Sequence, residues 1–131
     1  MNKRAKILII DDDPDFLEAT RLVLETRYDV VTALSGNEGL QEASSENPDL
    51  ILLDIIMPVT DGFTVAEHLK RDARLSQIPV VMLTSFAQRV GETSIPRSRG
   101  FELEAEDYLD KPVAPEELLK RVDSWLKKSS K

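Results

Sequence analysis

The sequence predicts an α/β domain with a doubly wound, five-stranded parallel sheet. Short apolar runs alternate with amphipathic segments, helix-start or turn residues separate them, and the alternation repeats through five strand-helix units. Such alternation forms a parallel sheet with helices on both faces and right-handed crossovers. The 131 residues are the size of one domain. We therefore expect a single domain over residues 1–131, with 127–131 as a frayed tail or linker stub.

The composition limits the classes of function. The formal net charge is −7, and a negative surface repels phosphate backbones, so direct nucleic-acid binding is not expected. The sequence has no cysteine, which excludes disulfides and thiolate metal sites and fits the cytoplasmic location that we expect. The apolar run near the start is too short for a signal peptide or a membrane span, so membrane insertion is not expected.

The first two units begin at clear signals. KILII (6–10) is an apolar run with β-branched residues, typical of a strand buried on both faces. Asp13 follows as a helix N-cap, with Pro14 at the first helical position. YDVVTA (28–33) is the second predicted strand. The SGNE motif at 35–38 is a capping box that starts the second helix.

The third and fourth units follow the same logic. DLILLD (49–54) is the third predicted strand, after a turn at Asn47-Pro48. The third helix starts at Gly62 and carries its apolar residues as far as Ala73. IPVVMLT (78–84) is the fourth predicted strand.

The last part of the chain is less regular. In the stretch 85–106, glycine and proline interrupt any long helix, so we expect a loop near 90–96 and a shorter helix near 97–105. DYLD (107–110) is the fifth predicted strand. A final helix opens at Pro115 and places its large apolar residues on one face.

Polar side chains stand where four of the predicted strands end. Asp11 and Asp12 follow the first strand, Asp54 ends the third, Thr84 ends the fourth and Lys111 follows the fifth. The carboxyl ends of parallel strands lie on one edge of a sheet, where ligands bind, so we expect these groups to converge. Each residue has a structural alternative, such as a helix cap, a turn acid or a surface lysine. Their coincidence at one edge favours a shared site.

The chemistry of this set points to phosphoryl transfer. Two carboxylates about 4 Å apart repel by roughly 4 kcal/mol at an effective dielectric constant of 20. A divalent cation with oxygen ligands removes that conflict, and Mg²⁺ suits a site with few carboxylates. Thr84 adds a hydroxyl and Lys111 a positive charge, which suit a phosphoryl group. Asp54 can then be the nucleophile.

Four segments together resemble the receiver domain of two-component response regulators, the chemotaxis-regulator-like family. They are ILIIDDDPDF (7–16), LLDIIMPVTDG (52–62), VVMLTS (80–85) and YLDKP (108–112). Their order and spacing match that family, and the resemblance covers nearly the whole chain. It implies a flavodoxin-like (βα)5 fold with strand order 2-1-3-4-5.

The resemblance implies a role for each acid. Asp54 matches the phosphoacceptor, and Asp11 and Asp12 match the pair that holds Mg²⁺, with Mn²⁺ as an alternative ion. Asp54 and the backbone carbonyl of Ile56 complete the implied metal ligands.

The resemblance also implies the switch residues. Lys111 matches the lysine that contacts the phosphoryl oxygens, and Thr84 the hydroxyl residue that moves toward them. Tyr108 matches the aromatic residue whose rotation is coupled to that move. The Lys111-Pro112 peptide bond is a candidate for the cis form.

The implied function is a phosphorylation-activated receiver of a phosphorelay. A histidine kinase or histidine phosphotransfer protein would donate the phosphoryl group to Asp54, and the surface of the predicted fourth helix, fifth strand and fifth helix would change for a downstream protein target. The domain would catalyse only its own phosphorylation and dephosphorylation. The only histidine, His68, is expected to be a surface residue of the third helix rather than a relay.

Three departures from the family pattern stand out. The segment from Thr84 to Lys111 is about five residues longer than usual, with the excess around 91–100, either as a tolerated loop or as a modified docking surface. Glu104 stands where the family often has a helix-ending glycine. Ile56 and Phe86 flank the implied approach of water and are both apolar, which predicts slow hydrolysis of the acyl phosphate.

Three other classes of protein fit the sequence less well. A Mg²⁺-dependent phosphohydrolase of the haloacid dehalogenase type also uses Asp, Thr and Lys, but it usually has a second Asp where Ile56 stands, and a cap domain. A structural module with a receiver fold and an inactive site would not need the complete set of polar residues. A nucleotide-binding fold is disfavoured because neither GxxxxGK nor GxGxxG occurs.

Overall fold

The structure is a computed structural model that describes residues 4–54, 62–84, 107–110 and 114–129. Strands and helices alternate through these ranges, with one 3₁₀ turn before the fourth strand. None of the helices within them is long and apolar enough to cross a bilayer. The elements are β1 (Lys6–Ile10), α1 (Pro14–Leu24), β2 (Asp29–Ala33), α2 (Gly36–Glu46), β3 (Leu50–Asp54), α3 (Gly62–Arg71), the 3₁₀ turn (Leu75–Gln77), β4 (Val80–Thr84), β5 (Asp107–Asp110) and α4 (Pro115–Ser129).

The strands form one parallel sheet in the order β2-β1-β3-β4-β5. β1 lies between β2 and β3, so that Ile7 pairs with Val30 on one side and with Leu50 on the other. The predicted parallel α/β sheet is therefore confirmed. The helix predicted near 97–105, and the loop before it, lie outside the described residues.

Each central strand is buried on both faces, which explains the continuous apolar runs of the sequence. In β1, Leu8 and Ile10 join one core cluster, while Ile7 and Ile9 join the other. The first cluster is covered by α2 and α3, and the second by α1 and α4. Helices therefore cover both faces of the sheet. The second cluster includes Trp125 of α4, which is only 5% exposed and has the Arg121 guanidinium carbon 5.5 Å from its ring centroid.

The helix starts largely follow the predicted caps. Asp13 caps α1, with Pro14 at the first helical position. In α2, the Ser35 Oγ accepts a hydrogen bond from the Glu38 N–H at 3.1 Å, which is one half of the predicted capping box. The other half is displaced, because the Glu38 carboxylate accepts from the N–H of Leu34, 3.3 Å away, one residue before the cap.

The third helix is shorter than the sequence pattern suggests. It ends at Arg71, so Ala73 lies beyond the helix and is exposed. The cause is Asp72, whose carboxylate accepts from the N–H groups of Arg74 at 2.8 Å and Leu75 at 3.0 Å. These hydrogen bonds, of which the one from Leu75 has the larger effect, lower the pKa of Asp72. They also start the 3₁₀ turn in place of another turn of α-helix.

Gly39 sets how closely α2 approaches the sheet. A Cβ atom at this position would lie 2.7 Å from Cγ1 and 3.0 Å from Cγ2 of Ile10. Ile10 is fully buried and stiff at χ1, so it has little freedom to move away.

Replacing Gly39 with alanine should therefore destabilise the protein by about 1–3 kcal/mol, although alanine is normally the better helix former. Denaturant unfolding would measure the loss. The control is the same change in an Ile10→Ala background, where the clash is gone and Gly39→Ala should cost nothing or stabilise. An equal cost in both backgrounds would show that the contact with Ile10 is not the cause.

Candidate functional site

Three acidic side chains meet at the carboxyl edge of the central strands. Ile10 of β1 pairs with Leu53 of β3, so the residues that follow them, Asp11 and Asp54, lie side by side where these strands end. Asp11 is 0% exposed and Asp54 is 4% exposed, while Asp12 is exposed. Carboxylate oxygens of these three residues lie within 4.8 Å of one another. The convergence predicted for these three acids is thus present in the structure.

Backbone hydrogen bonds hold Asp11 in place. Its N–H donates to the carbonyl of Ala33, at the end of β2, over 3.0 Å. Its Oδ1 accepts from the N–H of Asp13 at 2.9 Å. The sequence did not reveal either contact. The contact with Ala33 depends on β2 ending level with β1. Residue types do not show the register of two strands, so this contact could not be read from the sequence.

The arrangement suits a hard divalent cation. Two of the three carboxylates are buried, and charges this close repel by several kcal/mol in a protein environment. Oxygen ligands without sulfur or imidazole match the preferences of Mg²⁺. The donor set and the burial both indicate that this cluster could hold a metal ion.

The pairing of β3 with β4 brings the end of β4 to the same edge. Leu83 of β4 pairs with Asp54, and Thr84 is the next residue and the last of β4. Tyr108 of β5 pairs with Met82. The structure does not describe the side chains of Thr84 and Tyr108.

The remaining predicted site residues are Ile56, Phe86, Lys111 and Pro112, and all lie outside the described ranges. His68 lies exposed on α3, as predicted, and belongs to the helix rather than to the acidic cluster.

A cleft lies at the opposite edge of the sheet, where the strands begin. Its volume is about 940 Å³, and its lining includes three cations, Arg4, Lys6 and Arg74. Arg4 donates to three backbone carbonyls after α1, and Arg74 donates to side-chain and backbone oxygens near the end of α2. Lys6 binds Glu46 at 2.8 Å, and this hydrogen bond raises the pKa of Lys6. These three cations are bound within the chain, so among the described residues that line the cleft they do not form a ready anion site.

The fold and the acidic cluster together define the class of protein. The chain matches the response regulator receiver domain family over residues 7–123, and it belongs to that family. Receiver domains of this family are phosphorylation-activated switches of two-component systems and generally act as signalling domains rather than enzymes.

Particular relatives support the assignment. The chain is 42% identical over 127 residues to the DNA-binding dual master transcriptional regulator RpaA of Synechocystis sp., a match that covers 96% of this chain and 51% of that protein. It therefore spans about half the length of the curated relatives that it matches.

Solved structures of receiver domains superpose closely. A CheY-like receiver domain protein from Methanospirillum hungatei gives a TM-score of 0.83 at 29% identity, covering 97% of each chain. The signal receiver domain of a signal transduction histidine kinase from Syntrophus aciditrophicus gives a TM-score of 0.82 at 32% identity, covering 97% of this chain and 93% of the other.

Proposed function

We propose that Asp54 is the phosphoacceptor of this receiver and that the phosphoryl donor is a phosphohistidine of a histidine kinase or histidine phosphotransfer protein. The observation that supports this most is the meeting of Asp54 with Asp11 and Asp12 at the carboxyl edge of the sheet. Asp54 ends a fully buried strand, so its backbone is fixed while its carboxylate stands at the edge where ligands bind.

The three acids would hold Mg²⁺, with Mn²⁺ as the alternative, and the backbone carbonyl of Ile56 would complete the protein ligands. When bound, the ion would neutralise negative charge on the phosphoryl oxygens. In the proposed reaction an Asp54 oxygen forms a bond to phosphorus while the bond from phosphorus to the histidine nitrogen breaks, and the imidazole leaves with that electron pair.

The switch residues are part of the same proposal. Lys111 would contact the phosphoryl oxygens with its ammonium group, Thr84 would donate a hydrogen bond to one of them, and Tyr108 would turn inward as Thr84 moves. The surface formed by the helix predicted near 97–105, β5 and α4 would then change for a downstream protein target. The support is the placement of Thr84 at the end of β4, beside β3.

The proposal also covers the extent of the domain, its location, its contact with nucleic acid and its catalysis. We take residues 1–131 as one domain located in the cytoplasm, and the helix predicted near 97–105 would complete its (βα)5 repeat. RpaA is named a DNA-binding regulator, but the net charge of −7 makes direct nucleic-acid contact by this chain unfavourable. The receiver domain would catalyse only its own phosphorylation and dephosphorylation.

The test is the intact mass of the protein after incubation with acetyl phosphate and Mg²⁺. We expect a gain of one phosphoryl group that is absent without Mg²⁺ and absent in Asp54→Asn. Binding of beryllofluoride, a phosphoryl mimic, is the second measurement. A wild-type protein that neither gains mass nor binds beryllofluoride would have an inactive site, and the structural-module alternative would replace this proposal.

The apolar pair flanking the implied path of water predicts a long-lived acyl phosphate. Replacing Ile56 with asparagine and Phe86 with alanine should speed loss of the phosphoryl group by about tenfold, since a polar, less crowded path can orient a water. Time-resolved intact mass after removal of acetyl phosphate measures the rate. The matched control is Leu22→Ala, a change of an exposed α1 residue, which should leave the rate unaltered. Equal lifetimes in the double variant and the wild type would contradict this prediction.

A further inference from the structure

Asp13 does more than start a helix. Its Oδ1 accepts hydrogen bonds from the N–H groups of Asp15 at 3.0 Å and Phe16 at 3.3 Å, and its carbonyl accepts from Leu17 at 3.0 Å. At the same time its own N–H donates to Oδ1 of Asp11 at 2.9 Å. The side chain, the carbonyl and the N–H of this residue are thus all engaged in hydrogen bonds.

We infer that Asp13 is a positioning residue for the metal site, acting through Asp11. The inference rests on the proposed function, in which Asp11, Asp12 and Asp54 hold Mg²⁺. The cap fixes Asp13 in an extended conformation, with φ −97° and ψ 105°. That conformation aims its N–H at the buried carboxylate of Asp11, whose backbone is in turn tied to Ala33.

The electrostatics make this contact important. Without a cation, the Asp11 carboxylate lies among like charges, with oxygens of the cluster within 4.8 Å of one another. Repulsion favours any rotation that takes the carboxylate away from Asp54. The hydrogen bond from the Asp13 N–H opposes that rotation and keeps an oxygen set ready for a metal ion. Residues that orient metal ligands in this way typically change metal affinity by 10–100-fold when replaced.

Substitutions of Asp13 can separate the effect of its capping hydrogen bonds from the effect of its negative charge. Asp13→Ala removes the side-chain acceptor, so the first turn of α1 loses its cap. Asp13→Asn and Asp13→Ser keep a good capping oxygen but remove the negative charge. The matched control is Ser35→Ala, because Ser35 caps α2 through one hydrogen bond to the Glu38 N–H and also follows a strand at the carboxyl edge.

Two readouts are compared across these variants of the full chain. Mn²⁺ binding is followed by the electron paramagnetic resonance signal of the free ion, with Mg²⁺ affinity measured by competition. Thermal unfolding is followed by circular dichroism in EDTA. We expect Asp13→Ala to bind Mg²⁺ about tenfold more weakly, and Asp13→Asn and Asp13→Ser to stay within about threefold of the wild type. Asp13→Ala and Ser35→Ala should both lower the Tm by about 4 °C, but Ser35→Ala should leave Mg²⁺ affinity unchanged.

Three results would overturn this inference alone. Unchanged affinity in Asp13→Ala would show that the cap does not position Asp11. An equal loss in Asp13→Asn would assign the effect to charge, and an equal loss in Ser35→Ala would assign it to general destabilisation. In these three cases the wild type still binds Mg²⁺ and the proposed function stands. A wild type that binds no Mg²⁺ would overturn both.

Discussion

Asp54→Asn should abolish phosphorylation by acetyl phosphate and, in metal-free buffer, make the protein more stable than the wild type. The loss of phosphorylation follows because an amide is a far weaker nucleophile than a carboxylate. The gain in stability follows because Asp54 is 4% exposed and shares a small space with Asp11 and Asp12. Asparagine has nearly the same shape without the charge, so folding no longer brings three carboxylates together. We expect a gain of about 1–2 kcal/mol in the free energy of unfolding.

Denaturant unfolding in EDTA and in excess Mg²⁺ measures this effect. Mg²⁺ should stabilise the wild type by about 2.7 kcal/mol at a concentration of 100 times its Kd, and should stabilise Asp54→Asn much less. Asp72→Asn is a control of opposite sign, since the hydrogen bonds from Leu75 and Arg74 lower the pKa of Asp72 and its charged form favours folding. If Asp54→Asn were less stable than the wild type in EDTA, repulsion would not dominate the empty cluster.

Leu53→Ala should be among the most damaging core substitutions. Leu53 is fully buried in β3, next to Asp54, in the cluster covered by α2 and α3. Truncation removes apolar contact and leaves a cavity that a tightly packed strand cannot close, so we expect a loss of about 3 kcal/mol and a fall in Tm of about 10 °C. That is a large share of the roughly 5–15 kcal/mol that stabilises a domain.

Two controls test the role of the cavity, both by denaturant unfolding. Leu53→Met nearly conserves volume and should cost less than about 1.5 kcal/mol. Leu22→Ala changes the same residue type where it is 57% exposed and should fall within about 0.5 kcal/mol of the wild type. A cost for Leu53→Ala as small as that for Leu22→Ala would mean that the strand repacks freely.

The strands were predicted well from the sequence because a strand that is buried on both faces needs an unbroken apolar run, such as residues 50–53. The sequence also predicted that Asp11 and Asp54 would converge, since each follows such a run. The end of α3 was predicted too late, because helix propensity favours Ala73 while the deciding contacts are those of the Asp72 carboxylate with nearby backbone N–H groups.

The hydrogen bonds that hold the site residues in place were harder to predict. The contact between Asp11 and the Ala33 carbonyl joins backbone atoms that are distant in the chain, and any residue type can make it. Asp13 was predicted only as a cap, and its cap is confirmed. Its link to Asp11 is a hydrogen bond from the backbone N–H, and the sequence pattern of a helix cap does not show which acceptor that N–H meets. The assignments of Thr84, Tyr108, Lys111, Ile56 and Phe86 remain predictions.

The placement of Trp125 has a practical consequence. It is the only tryptophan in the chain and lies buried on α4, beneath the guanidinium of Arg121 and against the face of the sheet that α1 also covers. Tryptophan fluorescence therefore reports on a single location in the protein and needs no label. A change in emission when Asp54 is phosphorylated would reveal that the packing of α4 responds to chemistry at the edge of the sheet.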